Sequence, residues 1–180
     1  SSTVRKRTMD NAPTKLNARA TRSSMTCMTI AIKIESKTSV SGNVDVTADY
    51  DISGAPGGTL TMADGALISA GSGTITLTSD GDVTLGGLQT TNAAANAVKI
   101  TSRTGGIVEG GDADVDIVAN AAGSRATLNA ATGIGHGNAL ETTVARLIAT
   151  NSSSGNIQIA ETDGIQLSAV QQTSAIGTGT

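Results

Sequence analysis

The chain has 180 residues and a formal net charge of −3, and four small residue types dominate it: 22 Gly, 27 Thr, 18 Ser and 26 Ala. Its only aromatic residue is Tyr50, its only cysteine Cys27 and its only histidine His136. That excludes a core plugged by large rings, an internal disulfide and any site built on several His or Cys ligands.

Charge and glycine divide the chain. All glycines lie at Gly42 or later. Up to Lys37 eight basic residues (Arg5, Lys6, Arg7, Lys15, Arg19, Arg22, Lys33 and Lys37) face only Asp10 and Glu35, whereas the remainder is strongly acidic. Residues 1–41 are therefore read as a basic, poorly ordered leader, 42–176 as the folded region and 177–180 as a tail. The leader carries no aromatics for base stacking and its charges are scattered, so no nucleic-acid partner is expected. Its most apolar stretch, MTCMTIAI from Met25, is broken by Thr and is not a signal peptide. No apolar run approaches the roughly 20 residues of a membrane helix, and no membrane insertion is expected. The chain starts at Ser1 rather than Met and is read as a piece of a longer protein.

From Gly42 onward short runs alternate apolar and polar residues between Gly, Asn, Asp or Ser. In order they are GNVDV from Gly42, GTLTM from Gly58, GTITLT from Gly73, GDVTL from Gly81, AVKIT from Ala97, ADVDIV from Ala113, GNIQIA from Gly155 and GIQLSAV from Gly164. This is the pattern of half-buried strands. Residues 138–150, NALETTVARLIAT, place Leu140, Val144, Leu147 and Ile148 at helical spacing behind a capping-box arrangement of Asn138 and Glu141. The β-branched Thr142, Thr143, Val144 and Thr150 favour another extended segment there.

The runs repeat. GTITLTSDGDVTLGGL (73–88) matches GNIQIAETDGIQLSAV (155–170) without a gap, pairing Ile75 with Ile157, Leu77 with Ile159, Val83 with Ile165 and Leu85 with Leu167. A looser copy, AVKITSRTGGIV from Ala97, carries one residue more between its two strands. Self-similar strand units without aromatics predict a solenoid of six or seven coils, in which like aliphatic side chains stack in a thin interior and Gly and Asn turn the corners.

The strand pairs GTITLTSDGDVTL and GNIQIAETDGIQL, and above all ATGIGHGNALETTVARLIATNSSSGNIQI (131–159), resemble the repeats of filamentous haemagglutinin-type adhesins, very large bacterial surface proteins of the two-partner-secreted and autotransporter kind. The resemblance spans about residues 40–176. It implies an all-β, right-handed parallel β-helix shaft, exported to the cell surface, whose partners are host or neighbouring-cell surface glycans or proteins. It implies no catalytic residues and no cofactor. The basic leader departs from it.

Individual residues give little chemistry. His136 sits in the Gly-rich GIGHGN and reads as a surface-turn residue. Cys27 has no partner that would activate it. Asp112, Asp114 and Asp116 alternate with apolar residues, so a strand would place them on one face, where they are candidate Ca²⁺ ligands. Parallel β-helices also host polysaccharide lyases and hydrolases, which makes a carbohydrate-active enzyme the alternative by fold analogy. Acids such as Asp80 with Asp82 could meet its carboxylate spacing by chance. An ice-binding solenoid is the second alternative, from Thr59, Thr61, Thr74, Thr76 and Thr78, but Lys99, Asp114, Asp116, Gln158 and Gln166 at equivalent outward positions would spoil a flat array. An excised solenoid is also expected to associate end to end through its unpaired strand edges.

Overall fold

A computed structural model describes residues 32–48, 57–111 and 114–173. These form a parallel β-helix of six coils. The first coil carries β1 (Ile32–Ile34), β2 (Thr38–Ser39) and β3 (Val44–Ala48). The second has β4 (Leu60–Met62), β5 (Leu67–Ser69) and β6 (Ile75–Ser79), and the third β7 (Val83–Leu85), β8 (Gly87–Gln89) and β9 (Val98–Ser102). The fourth has β10 (Ile107–Glu109), β11 (Ile117–Ala119) and β12 (Ala126–Ala130). In the fifth, Ile134 precedes β13 (Leu140–Val144) and β14 (Arg146–Asn151); in the sixth, Ile157 precedes β15 (Ile159–Glu161) and β16 (Gln166–Gln172). Each coil visits three sheets in turn. Sheet A is β1-β4-β7-β10, sheet B is β2-β5-β8-β11-β13-β15 and sheet C is β3-β6-β9-β12-β14-β16, with every pairing parallel. No helix occurs among the described residues. At about 4.8 Å between neighbouring strands, the first and last coils stand roughly 25 Å apart.

Alternation explains why these strands form and what they bury. In β3, β6, β9 and β12 every second residue points inward and is buried while its neighbours stay wet. The inward residues stack into columns. One runs Val44, Ile75, Val98, Ala126, Leu147 and Leu167, and the next Val46, Leu77, Ile100, Leu128, Ala149 and Val170. In sheet A, Ile107, Ile134 and Ile157 continue a column begun by Ile32, Leu60 and Val83. Slender aliphatic side chains fill the interior, so none of the described coils needs a ring.

At the corners small polar side chains donate to main-chain carbonyls of the neighbouring coil. Ser79 Oγ donates to the Gly58 carbonyl at 2.6 Å and Ser102 Oγ to that of Gly81 at 2.8 Å, one coil later. Thr90 Oγ1 donates to the carbonyls of Gly73 and Gly71, and Asn92 Nδ2 to that of Ser72 at 2.7 Å. Ser79 and Ser102 are buried, and the Gly58 carbonyl also accepts from the Gly81 amide at 2.9 Å, so these hydroxyls satisfy their own donors away from water as they tie one coil to the next. This is why a chain so rich in Ser and Thr still builds a dry core.

Three sequence expectations need comment. Strands β1 and β2 lie in the glycine-free stretch assigned to the leader, so the described coils include residues ahead of Gly42. Glycine marks sharp corners, and the first coil's strands do not need it. Residues 140–151 are two strands joined at Ala145, as the β-branched residues indicated. The repeat phase is the larger correction. Ile75 stacks on Val98 in sheet C, and Val83 on Ile107 in sheet A, so the looser copy with one extra residue is the true structural repeat. The gapless match is out of phase, since it sets Ile75 of sheet C against Ile157 of the sheet A column. All faces use the same residue vocabulary, and similarity between strands therefore does not say which face each occupies.

The ends of the stack differ. In the first coil Val44, Val46 and Ala48 are 7%, 2% and 0% exposed, whereas in the last Leu167 and Val170 are 60% and 51% exposed. Sheet B also turns polar toward that end, its inward column passing from Ile68, Leu88 and Ile117 to Thr142 and Glu161. Thr142 Oγ1 donates to Glu161 Oε2 at 2.7 Å and the Val144 amide to Oε1 at 3.1 Å. Burial lifts the Glu161 carboxyl above the ordinary glutamate value, which the bond from Thr142 partly offsets. The folded chain thus holds this proton more tightly than the unfolded one. Stability from the site is full below the ordinary value and is lost as pH rises through the raised one. Glu161→Gln is expected to flatten the pH dependence of urea unfolding just above the ordinary glutamate value, and an unchanged slope there would contradict this account.

Candidate functional site

The densest grouping of ionisable side chains lies where sheet A turns into sheet B in the fourth and fifth coils. Glu109 ends β10 in register with Leu85, which is fully buried, so a carboxylate takes over a position held by an aliphatic side chain one coil earlier. Asp116, immediately before β11, is 1% exposed. Glu141 lies in β13, one coil above Asp116, whose amide donates to the Glu141 carbonyl at 2.9 Å. One oxygen from each of the three carboxylates lies within 4.8 Å of the others.

Such crowding of carboxylates is held by two main-chain amides and one side-chain amide. The Glu141 amide donates to Asp116 Oδ2 at 2.9 Å, the Gly111 amide to Glu109 Oε1 at 2.6 Å, and Asn138 Nδ2 to Glu109 Oε2. Glu141 Oε2 is sealed from solvent and accepts no hydrogen bond among the described residues. Carboxylate oxygens at this spacing are the donor type that hard divalent cations take, although Ca²⁺ completes a shell of six to eight oxygens. Two unit charges at this separation repel by about 1 kcal/mol even with water-like screening. In chelator-treated protein, Glu141→Gln is therefore expected to raise the melting temperature by a few degrees; calorimetry showing a lower one would mean that the ionised carboxylate is needed for the fold.

The Asp row anticipated from alternation is arranged otherwise. Asp112 lies outside the described residues. Asp114 is exposed while Asp116 is buried, and both precede the strand, which starts at Ile117. Of the two described, only Asp116 joins the cluster; Glu109 comes from the end of the preceding strand in the same coil and Glu141 from the next coil. Their signal was the coil period: Asp116 and Glu141 are one coil apart, which becomes readable only when the repeat is phased correctly.

Other candidates are placed as follows. His136 is exposed in the turn between Gly135 and Gly137. Cys27 and Tyr50 lie outside the described residues. Asp80 is 6% exposed and pairs with Arg103 from the next coil, while its carbonyl accepts from the Thr104 amide and hydroxyl, so this carboxylate fastens a corner. Asp82 Oδ1 accepts from the Gly106 amide at 2.8 Å, which fastens the adjoining corner in the same way.

Two shallow grooves mark the outside. One, of about 290 Å³, crosses sheet C and is lined by Asp45, Thr47, Thr76, Thr78, Lys99 and Thr101. The second, of about 180 Å³, is lined by residues that include Lys37, Leu67, Asp114 and Val115. Each holds one lysine and one carboxylate rather than the two carboxylates that glycoside hydrolysis uses. Outward columns on sheet C run Asp45, Thr76, Lys99, Thr127 and Ile148, and beside them Thr47, Thr78, Thr101, Asn129 and Thr150. The second column is a hydroxyl-rich stripe along the stack, and the first mixes both charges with an aliphatic residue. No protein-family model matches the chain, and neither the curated proteins nor the solved structures searched contain a match.

Proposed function

We propose that this chain is a segment of an extended shaft in an exported bacterial surface protein of the adhesin type, and that it presents polar faces to glycans or proteins on host or neighbouring cells. The observation that carries this reading is the architecture itself: six coils in parallel register around stacked aliphatic columns. Main-chain hydrogen bonding from coil to coil makes a stiff element whose length adds coil by coil. The hydroxyl-rich stripe on sheet C, with Lys99 and Asp45 beside it, is the face assigned to contact, since hydroxyl, ammonium and carboxylate groups at fixed spacing match the hydrogen-bonding demands of sugars and polar protein surfaces. The resemblance of residues 131–159 to haemagglutinin-type repeats points the same way.

The test is adhesion. Beads coated with the chain are expected to bind a subset of a glycan array or a mammalian or bacterial cell layer, and Thr78→Ala with Lys99→Ala should reduce that binding without changing the melting temperature. Failure of the coated beads to bind any surface above uncoated ones would remove the adhesive reading. Turnover of a polysaccharide, seen as new reducing ends or unsaturated products, would replace it by the carbohydrate-active enzyme.

A further inference from the structure

The corner between sheets B and C changes length from coil to coil. Ala119 lies in register with Val144, and Ala126 with Leu147. Between those fixed points the fourth coil carries residues 120–125, whereas the fifth carries only Ala145 and Arg146. The longer corner must arch outward, and the fifth coil turns directly beside it, which leaves a ledge. Two arginines mark that ledge. Arg125 and Arg146 each stand one residue before the inward pair Ala126 and Leu147, so they occupy outward positions on neighbouring strands about 4.8 Å apart along the stack. Arg146 reaches back against the arch: its Nη2 lies 3.6 Å from the place a Cβ on Gly123 would take.

Neither guanidinium has a counter-charge there. The ion pairs among the described residues join Lys33 to Glu35 and Arg103 to Asp80, so the acids of this net-negative chain leave both ledge arginines alone. Both side chains are half-buried. Arg125 Nε is sealed from solvent and donates to nothing among the described residues. A buried charged donor without an acceptor is costly, and two cations side by side repel. An oxoanion relieves both, because the planar fork of arginine matches phosphate geometry through paired hydrogen bonds. We propose that Arg125 and Arg146 form a site for one dianionic phosphate group, either free phosphate or the terminal ester of a sugar phosphate. Two positive charges are balanced by a dianion, and a phosphate monoester is close to that charge at neutral pH. A carboxylate would leave one charge over. Gln166, exposed and in register with Arg146, borders the open side with a further donor, whereas the Ser124 hydroxyl is already spent on the Ala119 carbonyl. The site stands at the corner ahead of sheet C, off the stripe assigned to contact, and phosphate binding there is independent of adhesion.

Isothermal titration calorimetry of the 180-residue chain with inorganic phosphate, at pH 7.5 in a low-chloride buffer, tests this. One phosphate per chain is expected. Arg125→Gln and Arg146→Gln should each weaken binding about tenfold or more and leave the circular dichroism unchanged. Arg146→Lys keeps the charge but loses the fork, and should still bind more weakly than the parent. Lys33→Gln removes the same charge from the first coil and should leave binding as it is. Acetate, a monoanion, should bind much more weakly than phosphate. Glucose 1-phosphate in the same cell identifies the source: tighter binding than inorganic phosphate assigns the ester, weaker binding the free ion, and either order supports the site. No binding of either phosphate overturns the inference, as do binding retained when both arginines are replaced by Gln, an equal loss in Lys33→Gln, and acetate binding as tight as phosphate.

Discussion

Ile100→Ala is expected to lower the free energy of unfolding by about 3 kcal/mol, whereas Thr101→Ala, one residue further on, should change it by no more than about 0.5 kcal/mol. Ile100 is fully buried and stacked between Leu77 and Leu128 of the neighbouring coils. Truncating it removes three carbons from a column whose neighbours Leu77 and Leu128 are held on their own strands. Coils above and below are pinned by their own main-chain ladders, which limits collapse, so the cavity cost adds to the lost transfer energy. Thr101 faces outward on the same strand and loses only solvated contacts. Equilibrium urea unfolding of the two variants side by side reads the difference. Equal effects would mean that inward and outward faces have been misassigned, and the stacked-column interior would be wrong.

Gly135→Ala is expected to be more damaging, with a loss of about 3 kcal/mol or more, while Gly65→Ala should cost only about 1 kcal/mol. Both glycines adopt left-handed backbone, with φ of 62° and 68°. The strain of placing a side chain in that conformation is therefore common to the pair. Their surroundings differ. A Cβ on Gly65 meets open space, whereas one on Gly135 would overlap the Gln158 carbonyl oxygen of the next coil and approach the Leu140 amide to 2.8 Å. Those are ladder groups, and the Gly135 amide itself donates to the Ile107 carbonyl at 2.8 Å. A methyl group at this corner must push two coils apart, and thermal melting of the two variants separates steric exclusion from backbone strain. Similar melting temperatures would show that coil contact at this corner is looser than described.

The glycine contrast also shows where sequence reading stops. GIGHGN announced a turn, and nothing in those letters distinguished Gly135, pressed against the next coil, from Gly137, which has open space at its Cβ position. Close approach is set by the coil stacked above, some twenty residues away in sequence. The carboxylate cluster follows the same rule. Asp116 was legible as an acid near a strand, but its partners arrive across a corner, Glu109 from the preceding strand, and from the next coil, Glu141, while Asp114, two residues away, points into solvent. Phasing failed for a related reason. A gapless internal match looked stronger than one with an inserted residue, yet insertions at corners are the way a solenoid adjusts coil length, and face identity lies in the order of corners.

Composition and alternation by themselves determined that this chain builds short strands around a slender aliphatic interior, because small and β-branched residues at a period of two admit few other ways to bury apolar surface. They also favoured an extended segment over a helix at 138–150, where the structure has two strands. The tertiary structure alone decided which strands share a sheet and which acids meet. Each of these depends on stacking between coils, and stacking is a relation between residues some twenty to thirty positions apart whose register is set by main-chain ladders rather than by the identity of any one side chain.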